Sequence, residues 1–388
     1  MKITLPNLDF PVMKASNLTP KIIDKYEEIN RLIIVGNGFD LAHGLKSSFK
    51  DFIYDYSLKT IKRVVLGLNY DDILVSITAN AQFSDAETFL GKLSPEEAFN
   101  TFMNLSNHPH IKLTWKSKFF KSIISDLQNK KWVDIEIRYF DQLKDKNLLN
   151  NEQAVKVLNE VFAYIKSCFI SYLKEEETKI VFTTNPDLLA QFSQPIKIPE
   201  ARPNTIEKEM QPLKTCILNF NYTSIASLYG QGLNSSAYNY IPIHGQLQID
   251  ETSSQEPVFG FGDEMDEDYV KFELLRNDEV FQHIKSFKYL QYNHYRNLIE
   301  FIESNPFQVQ IFGHSCGLSD RTLLNTIFEH ENCISIKPFY YENEGSNDYE
   351  QKSYSIARHF KSKSELRVKV VNKEYCEAMV QPIAIQSK

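Results

Sequence analysis

The chain has 388 residues, 42% hydrophobic and 24% charged, with a formal net charge of −7. That length exceeds one ordinary domain, so it is read as one large domain with an insertion, or as two domains. The acidic balance argues against a broad nucleic-acid surface, which would show a basic stripe, and no segment reaches the roughly 18 apolar residues of a membrane span.

Residues 1–18 read as irregular, and prolines interrupt them before any signal-peptide core can form, so a cytoplasmic protein is expected. Residues 20–30 read as a helix capped by Thr19, with Ile22, Ile23 and Tyr26 on one face. Leu32, Ile33, Ile34 and Val35 form an unbroken apolar run, as in a buried parallel strand. A turn opening with Gly36 and Gly38 follows, and a helical pattern resumes at Ser47 through Phe49, Phe52, Ile53 and Tyr56.

The character changes over residues 61–211. Long amphipathic stretches dominate, at 117–128 and 155–174, and Gly67 and Gly91 are the only glycines. In the second stretch Val155, Leu158, Phe162, Ile165 and Phe169 recur at helical spacing. This block is expected to be a helical insertion or cap in a core made of residues 1–60 and 212–388. After Pro212 a β/α rhythm returns. Strands are expected at 215–220, 240–243, 257–261, 308–312, 333–340 and 366–371. Helices are expected at 321–330, capped by Asp320, and at 348–361. Alternation of this kind predicts an α/β fold with a doubly wound, mostly parallel, Rossmann-like sheet.

Four expected strand ends carry polar residues, and open α/β sheets bind ligands beyond the carboxyl ends of their strands. Absent β-carbons at Gly36 and Gly38 let a backbone approach a phosphate, as in other strand–turn–helix junctions. The candidate binding residues are therefore Gly36, Asn37, Gly38, Phe39, Asn219, Gly313, His314 and Ser315. The candidate catalytic residues are His244, Asn221 and Asp40. Each has a structural alternative. A strand-end histidine is often only hydrogen-bonded, asparagine favours turns, Asp40 can bond a loop amide, and Ser315 and Asp320 suit helix caps. Trp132, Asp134 and Glu136 either close over the site from the insertion or form an exposed face. His108 and His110 flank a proline and read as loop. The acidic run from Asp263 to Asp268 reads as solvated. Five scattered cysteines form no CxxC pair, so neither structural zinc nor any other metal is expected.

The segment GNGFDLAHGLKSSF resembles the opening of the AbiH family, named for phage abortive infection. NFNYT at 219–223, His244-Gly245, the FGHS strand end at 312–315 and the spaced Trp132, Asp134 and Glu136 resemble further features of that family. More distantly, the first segment is similar to the nucleotide-binding segment of sirtuins, GAGxSxxxGIPxFR. Gly36, Gly38 and Gly44 fall on its glycines and Leu45 on its isoleucine, while Asn37 replaces alanine and Asp40 replaces serine. The sirtuin order TQNID, HG, GTS also recurs. Asn221 matches the asparagine, His244 the catalytic histidine, and Gly313 and Ser315 the last motif, while Thr223 replaces the aspartate. The resemblance implies a sirtuin-like core, anti-phage defence, NAD as a substrate cleaved at the nicotinamide–ribose bond, Gly36 and Gly38 at the diphosphate, and a phage-derived trigger. No paired-cysteine zinc module is present, which points away from deacetylation. Two other readings stay open: a nucleotide sensor without turnover, and an interaction protein that recognises a phage component through the insertion. A homo-oligomer is compatible with the sequence.

Overall fold

Strands among the described residues, in chain order, are β1 (Asn30–Val35), β2 (Tyr70–Asp71), β3 (Val75–Ala79), β4 (Ile111–Trp115), β5 (Thr215–Asn219), β6 (Tyr238–Pro242), β7 (Phe307–Phe312), β8 (Cys333–Phe339) and the short pair β9 (Glu342–Asn343) and β10 (Ser346–Asn347). The structure is a computed structural model that describes residues 25–79, 93–105, 111–128, 134–233, 238–247 and 256–382. Five strands form an all-parallel sheet in the order β6-β5-β1-β7-β8. Numbered along the chain, that is the 3-2-1-4-5 order of a Rossmann-type sheet. The winding direction reverses between β1 and β7, so the crevice above those two strands is the switch point.

β1 is buried along its whole length. Its side chains alternate between two apolar layers, as the strand period of two requires. Leu32 and Ile34 join Leu218, Val309, Phe301 and Leu323 on one face. Ile33 and Val35 join Phe39, Phe192, Ile217, Phe312 and Phe339 on the other. Arg31 is also buried; its two terminal nitrogens donate to the carbonyls of Phe192 and Gln194 and to Gln308, at 2.9, 2.6 and 3.0 Å, while its Nε has no partner among the described residues.

Helices fill much of the 61–211 block, including the 26-residue Glu152–Glu177. The block also holds a three-stranded sheet, β2-β3-β4, that its short strands did not reveal. A separate apolar cluster ties these elements together through Phe52, Phe102, Phe120, Phe140 and Phe162, and Phe259, Phe261 and Phe272 pack into the same cluster.

Three expectations need correction. The described part of residues 20–30 is not helical, and Asn30 already begins β1. Residues 257–261 form no strand and make a single isolated bridge, Phe261 with Ile284. The His283 carbonyl lies 2.0 Å from where a β-carbon on Gly260 would sit, so the close approach there depends on the glycine. Residues 366–371 lie largely in the helix Lys363–Lys369, because Ser362 accepts from the Glu365 amide and caps it. No helix among the described residues is long and apolar enough to cross a membrane.

Candidate functional site

At the switch point the chain after β1 is not the expected turn but enters the helix Asn37–Ala42 at once, with Gly36 as its N-cap, and the start of that helix touches the turn after β7. The amides of Gly36 and Gly38 donate to the carbonyls of Phe312 and Gly313 at 3.0 and 2.8 Å, and Phe39 N–H donates to Gly36 O at 2.8 Å. Glycine is required by this contact. A β-carbon on Gly313 would lie 2.1 Å from Phe39 N, and its φ is +63°. These glycines thus join the start of a helix to a turn, with the Gly36 and Gly38 amides engaged inside the protein. Phe39 is a core residue beside Phe192 and Tyr229. The Asn37 side chain accepts from Ser47 Oγ.

Asp40 is buried on the inner side of this junction. Its carboxylate accepts from Asn221 Nδ2 at 2.8 Å and from Thr223 Oγ1 at 2.6 Å. Burial raises its pKa to about 7 even though both hydrogen bonds favour the ionised form. Asn221 Nδ2 also donates to Gly36 O at 3.0 Å. Both side-chain amide protons of Asn221 are therefore used, and its side-chain Oδ1, unlike its main-chain carbonyl, carries no hydrogen bond among the described residues. Asn219 shapes this turn: it accepts from Asn221 N–H at 3.1 Å and donates to the Asn221 carbonyl at 3.1 Å and to Tyr240 OH at 2.9 Å.

Beside the junction stands a denser set of ionisable groups. β6 delivers His244, and Gly245 turns the chain away with φ +77°. His244 Nδ1 lies 3.1 Å from the Phe220 carbonyl, so that nitrogen carries the proton and donates. Its Nε2 lies 3.2 Å from both Tyr289 OH and Asp320 Oδ1. Lys285, 1% exposed at its side chain, donates to Asp320 Oδ1 at 2.7 Å and to Glu136 Oε2 at 2.8 Å. Glu136 Oε1 accepts from Gly260 N–H at 2.9 Å. His314 Nε2 sits 3.8 Å from Asp320 Oδ2, while its Nδ1 accepts from Cys316 N–H at 3.0 Å.

The charges follow from these contacts. Burial disfavours the Lys285 ammonium, but Asp320 and Glu136 more than compensate and hold its pKa well above the usual lysine value. Burial also pushes Asp320 up, yet Lys285 and the two histidines keep it below the ordinary carboxylate range. Glu136 is raised to about 7 by burial despite Lys285. His314 is lowered to about 3, chiefly by burial. Burial first, and then Lys285, lower His244, so its imidazole rests neutral. In that state Nε2 presents a lone pair to the Tyr289 hydroxyl. Once it gains a proton it has Asp320 Oδ1 as acceptor. A neutral imidazole oriented on one nitrogen, with a carboxylate waiting at the other, is the arrangement of a general base.

The structure therefore brings Asp40, Asn219 and Asn221 together at the glycine junction, and His244, His314 and Glu136 together around Asp320. Ser315 is exposed at the rim, where Ser315 Oγ and Asp134 Oδ2 each lie 3.6 Å from the β-carbon position of Gly317. Asp134 caps the helix Ile135–Leu143 by accepting from the amides of Glu136 and Ile137, which aims Glu136 at Lys285. Trp132, His108 and His110 lie outside the described residues. Asp320 makes no side-chain cap, contrary to its expected role; its carboxylate is drawn to Lys285. Asp263 in the acidic run is buried and paired with Arg321 at 3.1 Å, not solvated. Lys285 and Tyr289 escaped the sequence reading, because a lysine and a tyrosine on a short helix look like an ordinary solvated face. No cluster of three or more metal-ligating side chains occurs among the described residues.

Fold and site together define an α/β protein with a Rossmann-ordered sheet, whose carboxyl edge carries a buried histidine–aspartate–lysine cluster completed by a carboxylate from the 61–211 block. The chain matches the family described as Bacteriophage abortive infection AbiH over residues 32–342, and it belongs to that family. Membership implies a part in abortive-infection defence against bacteriophage. The matched span includes Asp40, Glu136, Asn221, His244, Lys285 and Asp320. No curated protein matches the chain.

Proposed function

We propose that the protein acts in the cytoplasm by hydrolysing NAD at its nicotinamide–ribosyl bond, so that infection ends in loss of the dinucleotide. The observation that carries this reading is the neutral His244 set between Tyr289 and Asp320, beside the switch point of a Rossmann-ordered sheet. The bond between C1′ and the pyridinium nitrogen breaks, and nicotinamide leaves as a neutral base with that electron pair. A water oxygen bonds to C1′, and its proton passes to His244 Nε2. The resulting imidazolium donates to Asp320, which Lys285 keeps ionised. ADP-ribose is the other product. A positioned base of this kind supplies about two to four orders of magnitude. The side-chain Oδ1 of Asn221 accepts from a ribose hydroxyl or from the attacking water, and Asp40 fixes its orientation.

The test is nicotinamide release by the purified protein, with and without phage lysate as trigger, beside His244→Ala and Asn221→Ala. Release abolished by both substitutions in folded protein supports the reading. Absence of release under both conditions rejects it. A second reading, a sensor that binds a nucleotide without turnover, draws on Asp40 and Thr223 standing where sirtuins carry serine and aspartate, and on the hydrogen bond that ties them together. Ligand-induced thermal stabilisation without product marks that outcome. Loss of defence on trimming the 61–211 block, with His244→Ala harmless, marks recognition of a phage component instead.

A further inference from the structure

A concavity lies next to His244, whose carbonyl is bonded to Val258 in its wall. Its volume is about 300 Å³, at the lower end of ligand pockets. The long helix Glu152–Glu177 forms one wall with Lys166, residues 256–259 form another, and Gln282, His283, Lys288 and Gln291 close the third. Lys166, only 14% exposed at its side chain, pairs with Glu256. Lys288 makes no ion pair or hydrogen bond through its ammonium among the described residues. His283 is neutral, because burial lowers it to about 4. Two ammonium groups against one carboxylate leave the pocket with one uncompensated positive charge, and the Gln282 and Gln291 amides offer further donors.

We infer that this pocket binds a small phosphate-bearing ligand through Lys288 and Lys166, and that its occupation is felt at His244. Two connections carry the second half. Val258 in the pocket wall donates its N–H to the His244 carbonyl at 2.8 Å, and its own carbonyl accepts from Tyr222 OH at 2.9 Å. Lys288 also shares the short helix Lys285–Tyr289 with the two residues that hold Asp320 and face His244 Nε2. An anion that draws Lys288 inward pulls on both. Lysine is suited to phosphate as a mobile point charge.

Calorimetric titration of the full chain with ribose 5-phosphate, inorganic phosphate and ribose tests the site without any assay of turnover. The expected result is one saturable site for phosphate-bearing probes, none for ribose, and weaker affinity as salt rises. Lys288→Gln, on a half-buried position, keeps the melting temperature and weakens binding about tenfold or more, while His244→Gln binds as the native chain does. Preference for ribose 5-phosphate identifies a phosphate ester as ligand, and equal affinity identifies the free anion. Absence of saturable binding, an unaffected Lys288→Gln, or loss of binding in His244→Gln overturns the assignment. Movement of the His244 ring resonances with bound phosphate, absent in Lys288→Gln, tests the coupling, and unmoved resonances in the native chain refute it.

Discussion

The glycine junction and the His244 cluster share one edge of one sheet but solve opposite problems. At the junction, backbone meets backbone: Gly36, Gly38 and Gly313 let the start of a helix touch a turn, and the Gly36 and Gly38 amides are engaged within the protein. A single buried carboxylate, Asp40, is held there by neutral donors. In the cluster, side chains of opposite charge meet in a place where neither would be stable alone. Lys285 is the common partner of Asp320 and Glu136. The contrast teaches that the recognisable motif supplies shape, while the paired buried charges come from residues scattered over the sequence.

The comparison breaks most visibly at Lys285. Lys285→Met leaves two buried carboxylates facing each other without a cation, and it is expected to cost about 3–5 kcal/mol by chemical denaturation. Both carboxylates then have raised folded-state pKa values. Their protonated forms favour the fold, so the deficit shrinks as pH falls and grows as pH rises. Adding Glu136→Gln restores part of the loss; a double variant no more stable than the single one argues against the ion triad.

The junction is tested by geometry. Gly313→Ala forces a β-carbon into the Phe39 amide and strains a left-handed residue, so a loss of about 2–4 kcal/mol is expected. Gly345→Ala has the same kind of backbone strain, φ +81°, with nothing within 4 Å of the new carbon. Its loss is expected to be about 1 kcal/mol. Equal losses would mean that close approach at the junction is unimportant.

Asp40 separates the two regions by pH. Its folded-state pKa, about 7, lies above its ordinary 3.8. Its contribution is therefore complete below about 3.8 and is lost as pH rises through about 7, opposite to the usual salt-bridged aspartate. Asp40→Asn keeps an acceptor for Asn221 and removes that pH dependence, gaining about 1–3 kcal/mol at pH 8 relative to the native chain. Denaturation midpoints at pH 5 and 8 check it, and an unchanged slope would contradict the burial argument. The smallest effect belongs to Ser315→Ala. This exposed side chain should alter stability by less than about 0.5 kcal/mol, with any kinetic change in KM and not in kcat.

Much of the sheet was legible because its strands are rich in β-branched, leucine and aromatic residues, in an unbroken run in β1 and alternating with polar residues in β7: β1, β5, β7 and β8 fall where Leu32, Ile217, Val309 and Ile336 predict them. The misread segments are short. The apolar spacing of Leu366, Val368 and Val370 suits a strand, but a cap at Ser362 starts a helix that periodicity alone does not register. Polar residues inside strands, such as Arg31 and Gln308, became intelligible only once their buried partners were visible. The site was legible where a residue followed a strand, as with Asn221, His244 and His314. Lys285 was not, because its role depends on Glu136, 149 positions earlier, and on Asp320, 35 later. No local pattern encodes such a meeting.

The central claim is that chemistry resides at His244 on Asp320. The measurement that addresses it most directly is nicotinamide release from NAD by the native chain and by His244→Gln, each with its melting temperature recorded. The account predicts release by the native chain and a fall of about two to four orders of magnitude in a variant that melts within a few degrees of it. Undiminished release by the folded variant would contradict the account.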